Sequence, residues 1–247
     1  MRFFTFFCLW CLSLSSLYAQ SGNSPYRLSV KKDLPITLGS VVFSTAGQLF
    51  QHSVQPLTAT ELASLNRLQI NRFDRPTSFN WRPGVQKTSD KLLLGAVLLP
   101  ATLLAFKPIR KDFPEVLIMG VQTLSFTYGL TGFAKASVKR NRPFTYLDAA
   151  GNDELFSAQT QNDARFSFFS GHTSMSAAST FFLAKVYSDY YPRSSAKPFV
   201  WTGAILVPAV IGFLRVRSGK HFPTDVITGY VVGAAVGILT PHLHKNF

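Results

Sequence analysis

The chain has 247 residues, 47% of them hydrophobic and 15% charged, with 23 phenylalanines and a formal net charge of +13. So apolar a chain is neither disordered nor fibrous, and its length fits one large domain or two small ones. The positive charge sits in short clusters between apolar runs, with no basic stripe, zinc finger or aromatic RNA-binding motif. That pattern argues against nucleic acid and for a membrane protein facing anionic lipid or an anionic substrate.

Residues 1–19 read as a secretory signal: Arg2, an apolar core over 3–14, and Leu17-Tyr18-Ala19 as a cleavage site before Gln20. Cys8 and Cys11 both lie inside it, so the mature chain is expected to use neither disulfides nor thiol chemistry. Residues 20–33 are polar, with Pro25 and Lys31-Lys32, and read as an exposed lead-in. Residues 34–50 are mildly apolar but interrupted by Gly39, Ser40, Ser44, Gly47 and Gln48, a weak spanning candidate. The polar stretch 51–91 opens on a capped short helix, Thr58 as N-cap with Glu61 reaching back, and passes through a loop at Asn71 to Pro76.

Stronger apolar segments follow at 92–106, 116–134, 175–186, 199–214 and 226–239. Each approaches the ~20 residues that cross a bilayer once its flanks are counted. The third is shorter and rich in Ala and Ser; the last carries Gly229, Gly233 and Gly237, which suit close helix packing. The pattern predicts an all-α helical bundle of about six helices, mostly membrane-embedded. The domains expected are a signal at 1–19, a lead-in at 20–91 and a core at 92–243.

Lys107, Arg110 and Lys111 in one connection, and Arg193 and Lys197 in another, place those loops in the cytoplasm. The opposite ends of the helices then share the outer face, as in a bacterial-type inner membrane with its site toward the periplasm. A cleaved signal also delivers Gln20 outside. Residues 34–50 are therefore expected not to make a single full crossing, unless the first segment is not an ordinary signal. The polar residues Arg72, Asp74, Arg75 and Trp81 are expected near the outer face, where they could select headgroups.

Three stretches gather chemistry at the ends of these segments. Lys135 and Arg142 are seven residues apart, on one helical face with Lys139 between them, before Pro143 stops the helix. They read either as a basic flank anchoring a spanning helix or as a cradle in which an Arg fork and a Lys charge hold phosphate oxygens. Ser170-Gly171-His172 opens the next apolar helix. Ser170 is an N-cap, the free N–H groups of the helix start form an anion site, and Gly171 allows close approach. No Gly-x-Ser-x-Gly elbow surrounds Ser170, which argues against a serine nucleophile. His172 beside that pocket is placed to donate a proton to a leaving oxygen. In the third stretch His221 and Asp225 are four apart, with Pro223 at the first helical position, and Arg215 ends the preceding segment. An Asp so placed can hold one imidazole nitrogen and leave the other free to attack. With no third and fourth ligand nearby, a metal pair is the weaker reading. His52, His242 and His244 have no such neighbours in sequence.

Lys-x6-Arg-Pro, Ser-Gly-His and Arg-x5-His-x3-Asp, in this order, resemble the three signature motifs of the type 2 phosphatidic acid phosphatase superfamily. That superfamily also contains bacterial nonspecific acid phosphatases and vanadium haloperoxidases. The resemblance covers about 92–239. It implies His221 as the nucleophile that forms a phosphohistidine, Asp225 as its orienting partner, and His172 as the acid that protonates the leaving alcohol and then activates water. Lys135, Arg142, Ser170, Gly171 and Arg215 would bind the phosphoryl oxygens, and no metal or other cofactor is required. Phe169 stands where the family has Pro, and Leu214 where it has Ser; altered loop shape rather than lost activity is expected. The leading expectation is a phosphatase acting on a lipid phosphate or pyrophosphate at the outer face of the membrane. The alternatives are a soluble periplasmic acid phosphatase, a vanadate-dependent haloperoxidase and a non-catalytic membrane scaffold.

Overall fold

The computed structural model describes residues 24–246; the expected signal at 1–19 lies outside them. Among the described residues six helices have 16 residues or more. They are α1 Val30–His52, α2 Pro83–Leu98, α3 Phe113–Val138, α4 Gly171–Tyr190, α5 Lys197–Arg217 and α6 Pro223–Leu243. A 3-10 run, Leu99–Ala105, continues α2. Among the described residues four segments are long and apolar enough to cross a membrane: Pro83–Ala105, Phe113–Tyr146, Lys197–Arg217 and Pro223–Leu243. The chain is an all-helical membrane protein.

The Ala- and Ser-rich α4 is the axle of the bundle, packed against α2, α3, α5 and α6. A helix surrounded by helices needs no lipid-facing surface, so small residues bring the neighbours close and hydroxyls cover their own polarity. Thr180 donates to the carbonyls of Ser176 and Ala204, both at 2.9 Å, and Ser179 donates to Ala96 O at 2.9 Å. On α6, Gly229, Gly233 and Gly237 meet the α4 carbonyls of Ser170, Ser174 and Ala178; a Cβ on Gly233 would stand 2.1 Å from Ser174 O.

Three sequence expectations change here. The helix expected at 92–106 begins at Pro83. Its first turns carry Lys87, Thr88, Ser89, Asp90 and Lys91, a polar composition that an apolar-run criterion reads as loop. The described part of the lead-in is only partly exposed: Arg27, Ser29, Lys31 and Lys32 are, but Tyr26 and Leu28 are buried, and Tyr26 bridges to Lys245. The weak segment 34–50 is the middle of the 23-residue α1, which runs alongside α3 in the same direction. Thr37 accepts from Gln122 Nε2 at 2.9 Å near one end, and Gly47 approaches Gly129 and Gly132 near the other. A helix of that length measures about 35 Å, enough for the bilayer core. Phe43 stacks on Phe126 and Phe133 from α3, while Ile36, Leu38, Val42 and Leu49 stay exposed on the outer side. The weak apolar segment is thus a helix, longer at both ends than the sequence suggested, and it puts Ser24 at the same end as Asn246.

Candidate active site

All eight expected residues converge where α3 and α5 end and α4 and α6 begin. Between α5 and α6 the chain reverses through Ser218 to Phe222. Gly219 there has φ +78, and a Cβ on it would lie 1.9 Å from Asn80 O, so a side chain is excluded twice over. This turn presents Lys220 and His221 to the interior, with His221 only 1% exposed.

The His221 Nδ1 lies 2.7 Å from the carbonyl oxygen of Ser167 and donates to it. The lone pair is thereby left on Nε2, which faces the Arg142 guanidinium at 3.4 Å. Burial, then Arg142, Arg215, Lys135 and His172, hold the imidazole well below its usual pKa, so the ring is neutral. Asp225 does not hold the imidazole directly, as expected from the i+4 spacing: its nearest oxygen is 3.9 Å from Nδ1, beyond hydrogen-bond reach. It accepts instead from the Ser167 hydroxyl and from Phe222 N at 2.8 Å, fixing the two ends of the turn around His221.

Cations surround Nε2. Arg142 is buried and donates to Asp163 Oδ1 at 2.6 Å and Lys220 O at 3.0 Å. Arg215 is buried against Ser89 Oγ and Asp90 Oδ1, both at 3.0 Å, and its Nε has no acceptor. Lys135 Nζ stands 3.6 Å from where a side chain on Gly171 would begin, so the missing side chain leaves the ammonium beside the first turn of α4. The leading amides of that helix have no intrahelical acceptor and add the positive end of its dipole. The Ser170 hydroxyl is fully buried and caps α4 by accepting from Thr173 N. His172 is partly exposed at the rim, with Nε2 2.7 Å from Asp90 Oδ1.

The helical face expected to join Lys135, Lys139 and Arg142 does not exist. α3 ends at Val138, and Lys139 turns left-handed at φ 49 and points to solvent. Arg142 returns on an extended loop pinned by Arg142 N to Ala164 O and Ser167 N to Arg140 O, both 2.9 Å. Of the polar residues expected to select headgroups, Asp74 is buried and Arg75 is bonded to the Leu68 and Ile70 carbonyls. Trp81 packs on Phe144. His244 has a partner after all, with Nε2 2.8 Å from Asp33 Oδ1. Phe169, in place of Pro, is buried, and Ser170 still caps α4.

Several residues of the site carried no signal in the three stretches. Asp90 joins His172 to Arg215 through one oxygen. Asp163 is half-exposed and pairs with Arg142 and, at 3.4 Å, Lys220. Burial acts to raise its pKa, but Arg142, Lys220, Lys135 and Arg215 outweigh it and keep the carboxylate ionised. Lys220 is lowered to about 8, by burial first and then by Arg142. Behind His221, Arg140 pairs with Asp225 and, at 2.7 Å, with Asp74, which also accepts from Thr224 N at 3.1 Å and Thr224 Oγ1 at 2.6 Å. The signal available was an acid one turn before an apolar run, for Asp90, and a second Arg inside the first motif, for Arg140. Among the described residues no three His, Cys, Asp or Glu side chains converge as metal ligands.

Comparison with known proteins bears on residues 116–247, which a family model described as the PAP2 superfamily matches. Phospholipid phosphatase 1 of Rattus norvegicus is 30% identical over 133 residues, covering 47% of this chain and 47% of that protein. The match thus spans about half the length of that relative. No solved structure matches the chain.

Proposed function

The chain belongs to the PAP2 superfamily, and on that premise we propose that it is a phosphatase of lipid phosphates or pyrophosphates, working through a phosphohistidine on His221. The observation that carries this reading is the neutral His221, its Nδ1 proton committed to Ser167 and its Nε2 lone pair turned toward a cluster of buried cations. Lys135, Arg142, Arg215 and Lys220 face only Asp90 and Asp163, leaving two positive charges uncompensated. So concentrated a set of cations is costly without an anion, and a phosphomonoester dianion matches the excess.

In the first step Nε2 attacks phosphorus and the ester P–O bond breaks, while His172, carrying a proton taken up with the phosphate dianion that offsets burial and Arg215, gives that proton to the leaving oxygen. In the second, His172 takes a proton from water, the oxygen attacks phosphorus, and the P–N bond breaks to release inorganic phosphate and neutral His221. Lys135, Arg142, Arg215 and the α4 amides stabilise the charge that builds on the equatorial oxygens. Asp225, Arg140 and Asp74 hold the turn from behind and do not touch the phosphoryl group. Asp90 bonds His172 Nε2 and Arg215, and a phosphate held by these two groups takes its place on both.

A lipid substrate is favoured over a soluble ester because the site opens at the ends of apolar helices, where lateral diffusion delivers lipids. The basic connections holding Lys107, Arg110, Lys111, Arg193 and Lys197 lie at the far end of the bundle, which favours an outward-facing site. A crossing by α1, which is long enough but is not one of the four apolar segments, would make an outward site incompatible with a Gln20 released outside by a cleaved signal. The basic loops favour the outward site. Phosphate release by the purified protein across a panel of lipid phosphates, lipid pyrophosphates and a soluble ester tests the reading. His221→Ala is the control, and unchanged release by that variant would overturn it.

A further inference from the structure

A groove of about 860 Å³ opens at the end of the bundle opposite His221, between α1 and α6 with α3 as its floor. It takes no part in the chemistry above. Its walls are apolar and face outward: Ile36 and Phe43 from α1, Phe126 from α3, Val236, Leu239 and Leu243 from α6. At its outer end it becomes basic. Lys245 is paired with Asp189 and His244 with Asp33, but the side chains of Arg27 and Lys32 have no partner among the described residues. One turn further in lies Gln122. Its Nε2 donates to Thr37 Oγ1, whereas its Oε1 is buried with no donor. Such an acceptor is costly in a membrane unless a ligand donates to it.

From Ser29 to Phe43 the groove follows α1 for about 21 Å, close to the reach of one leaflet of a bilayer with its headgroup. Gly39 and Ser40 keep that stretch of α1 thin, and a Cβ on Gly39 would meet nothing within 4 Å. Cations at the headgroup level, an apolar wall below them and an open acceptor between the two are the complement of one kind of molecule.

We propose that this groove is a binding site for an anionic phospholipid whose headgroup carries a hydroxyl. Its phosphate lies between Arg27 and Lys32, its hydroxyl donates to Gln122 Oε1, and an acyl chain follows Ile36, Phe43 and Leu239. The lipid belongs to the leaflet opposite the phosphatase site. It is therefore not the substrate, and the site does not depend on the reaction proposed above.

The full chain in phosphatidylcholine nanodiscs, titrated with phosphatidylglycerol and read by native mass spectrometry of retained lipid, tests this. The wild type is expected to retain phosphatidylglycerol over phosphatidylcholine by about tenfold or more, from two unpaired cations at the surface. Arg27→Gln with Lys32→Gln should remove the preference, with phosphate release at saturating substrate unchanged as the check on folding. Gly39→Trp, which fills the groove without a clash at Cβ, should expel the lipid. Equal retention of the two lipids by the wild type, an undiminished preference in the double variant, or unchanged retention in Gly39→Trp would each overturn the proposal. The last would mean that the lipid sits elsewhere or that another part of the chain fills the groove.

Discussion

His221 donates its Nδ1 proton to the backbone carbonyl of Ser167, 2.7 Å away, so the proposed nucleophile is held by main chain rather than by a carboxylate. Asp225 stands behind that carbonyl and grips the Ser167 hydroxyl and the Phe222 amide. A backbone acceptor cannot ionise, which fixes the tautomer of His221 without adding charge next to it.

Ser167→Ala therefore keeps the acceptor and should lower kcat only a few-fold, whereas Asp225→Asn loosens both ends of the turn. It also strips Arg140 of a buried partner, and is expected to cost about 2–3 kcal/mol of stability and a much larger share of kcat. KM should barely move, because neither residue touches the phosphoryl group. Steady-state kinetics and thermal unfolding in detergent check the pair; a larger kcat loss in Ser167→Ala than in Asp225→Asn would contradict it.

Asp90 bonds both His172 and Arg215, and in the proposed mechanism it competes with phosphate for them. Asp90→Asn is predicted to tighten inhibition by inorganic phosphate by about tenfold, the effect of removing one half-exposed carboxylate beside the anion. The opposite sign would mean that Asp90 supports binding instead of opposing it.

Acid should destabilise the empty protein through His221. Its folded pKa is depressed below the ordinary 6.5, so the unfolded chain binds a proton that the folded chain refuses. The stability tied to a neutral His221 is complete above pH 6.5 and falls below it by about 1.4 kcal/mol per pH unit, until the folded group titrates. Asp163 is also depressed, but its contribution fades only below the ordinary carboxylate value of 3.8. His172, lowered to about 3 by burial and then Arg215, adds a loss of the same sign in the same window, so the share of His221 is read as the difference between wild type and His221→Asn. Thermal unfolding between pH 7 and 5 should show a steeper loss in the wild type than in His221→Asn, in which His172 still contributes.

Gly233→Leu should fail to assemble or lose about 3 kcal/mol, because its side chain starts inside the contact with Ser174 O. Gly203→Ala is the matched control, since a Cβ there meets nothing within 4 Å, and it should leave Tm within a degree or two. Equal behaviour of the two variants would remove the close α4–α6 contact from the account.

His172, Arg215 and His221 were legible because each lies in a short motif at the end of an apolar run, where helix ends are bound to meet. The bundle was legible for the same reason: five of its six long helices show as hydrophobic segments. α1 showed only as a weak apolar segment because half of it faces α3, where Gly47 and Gln48 pack as well as apolar residues do. The start of α2 escaped because its polar turns face the site rather than lipid. Asp90 and Asp163 could not be found from spacing, since their partners lie 125 and 21 residues away and pairing depends on the fold. Arg142 was placed by the right motif on the wrong element: a left-handed Lys139 ends α3 four residues early, and a loop restores the position the spacing had suggested.

The most direct measurement of the central claim is rapid acid-free quenching with a phosphate-labelled lipid substrate, followed by peptide mapping of the protein-bound label. An acid-labile, base-stable label on the peptide containing His221 is predicted. It should be absent in His221→Ala and accumulate in His172→Ala whenever a substrate with a good leaving group is supplied. Turnover at wild-type rate with no label on His221, or with the label on another residue, would contradict the account.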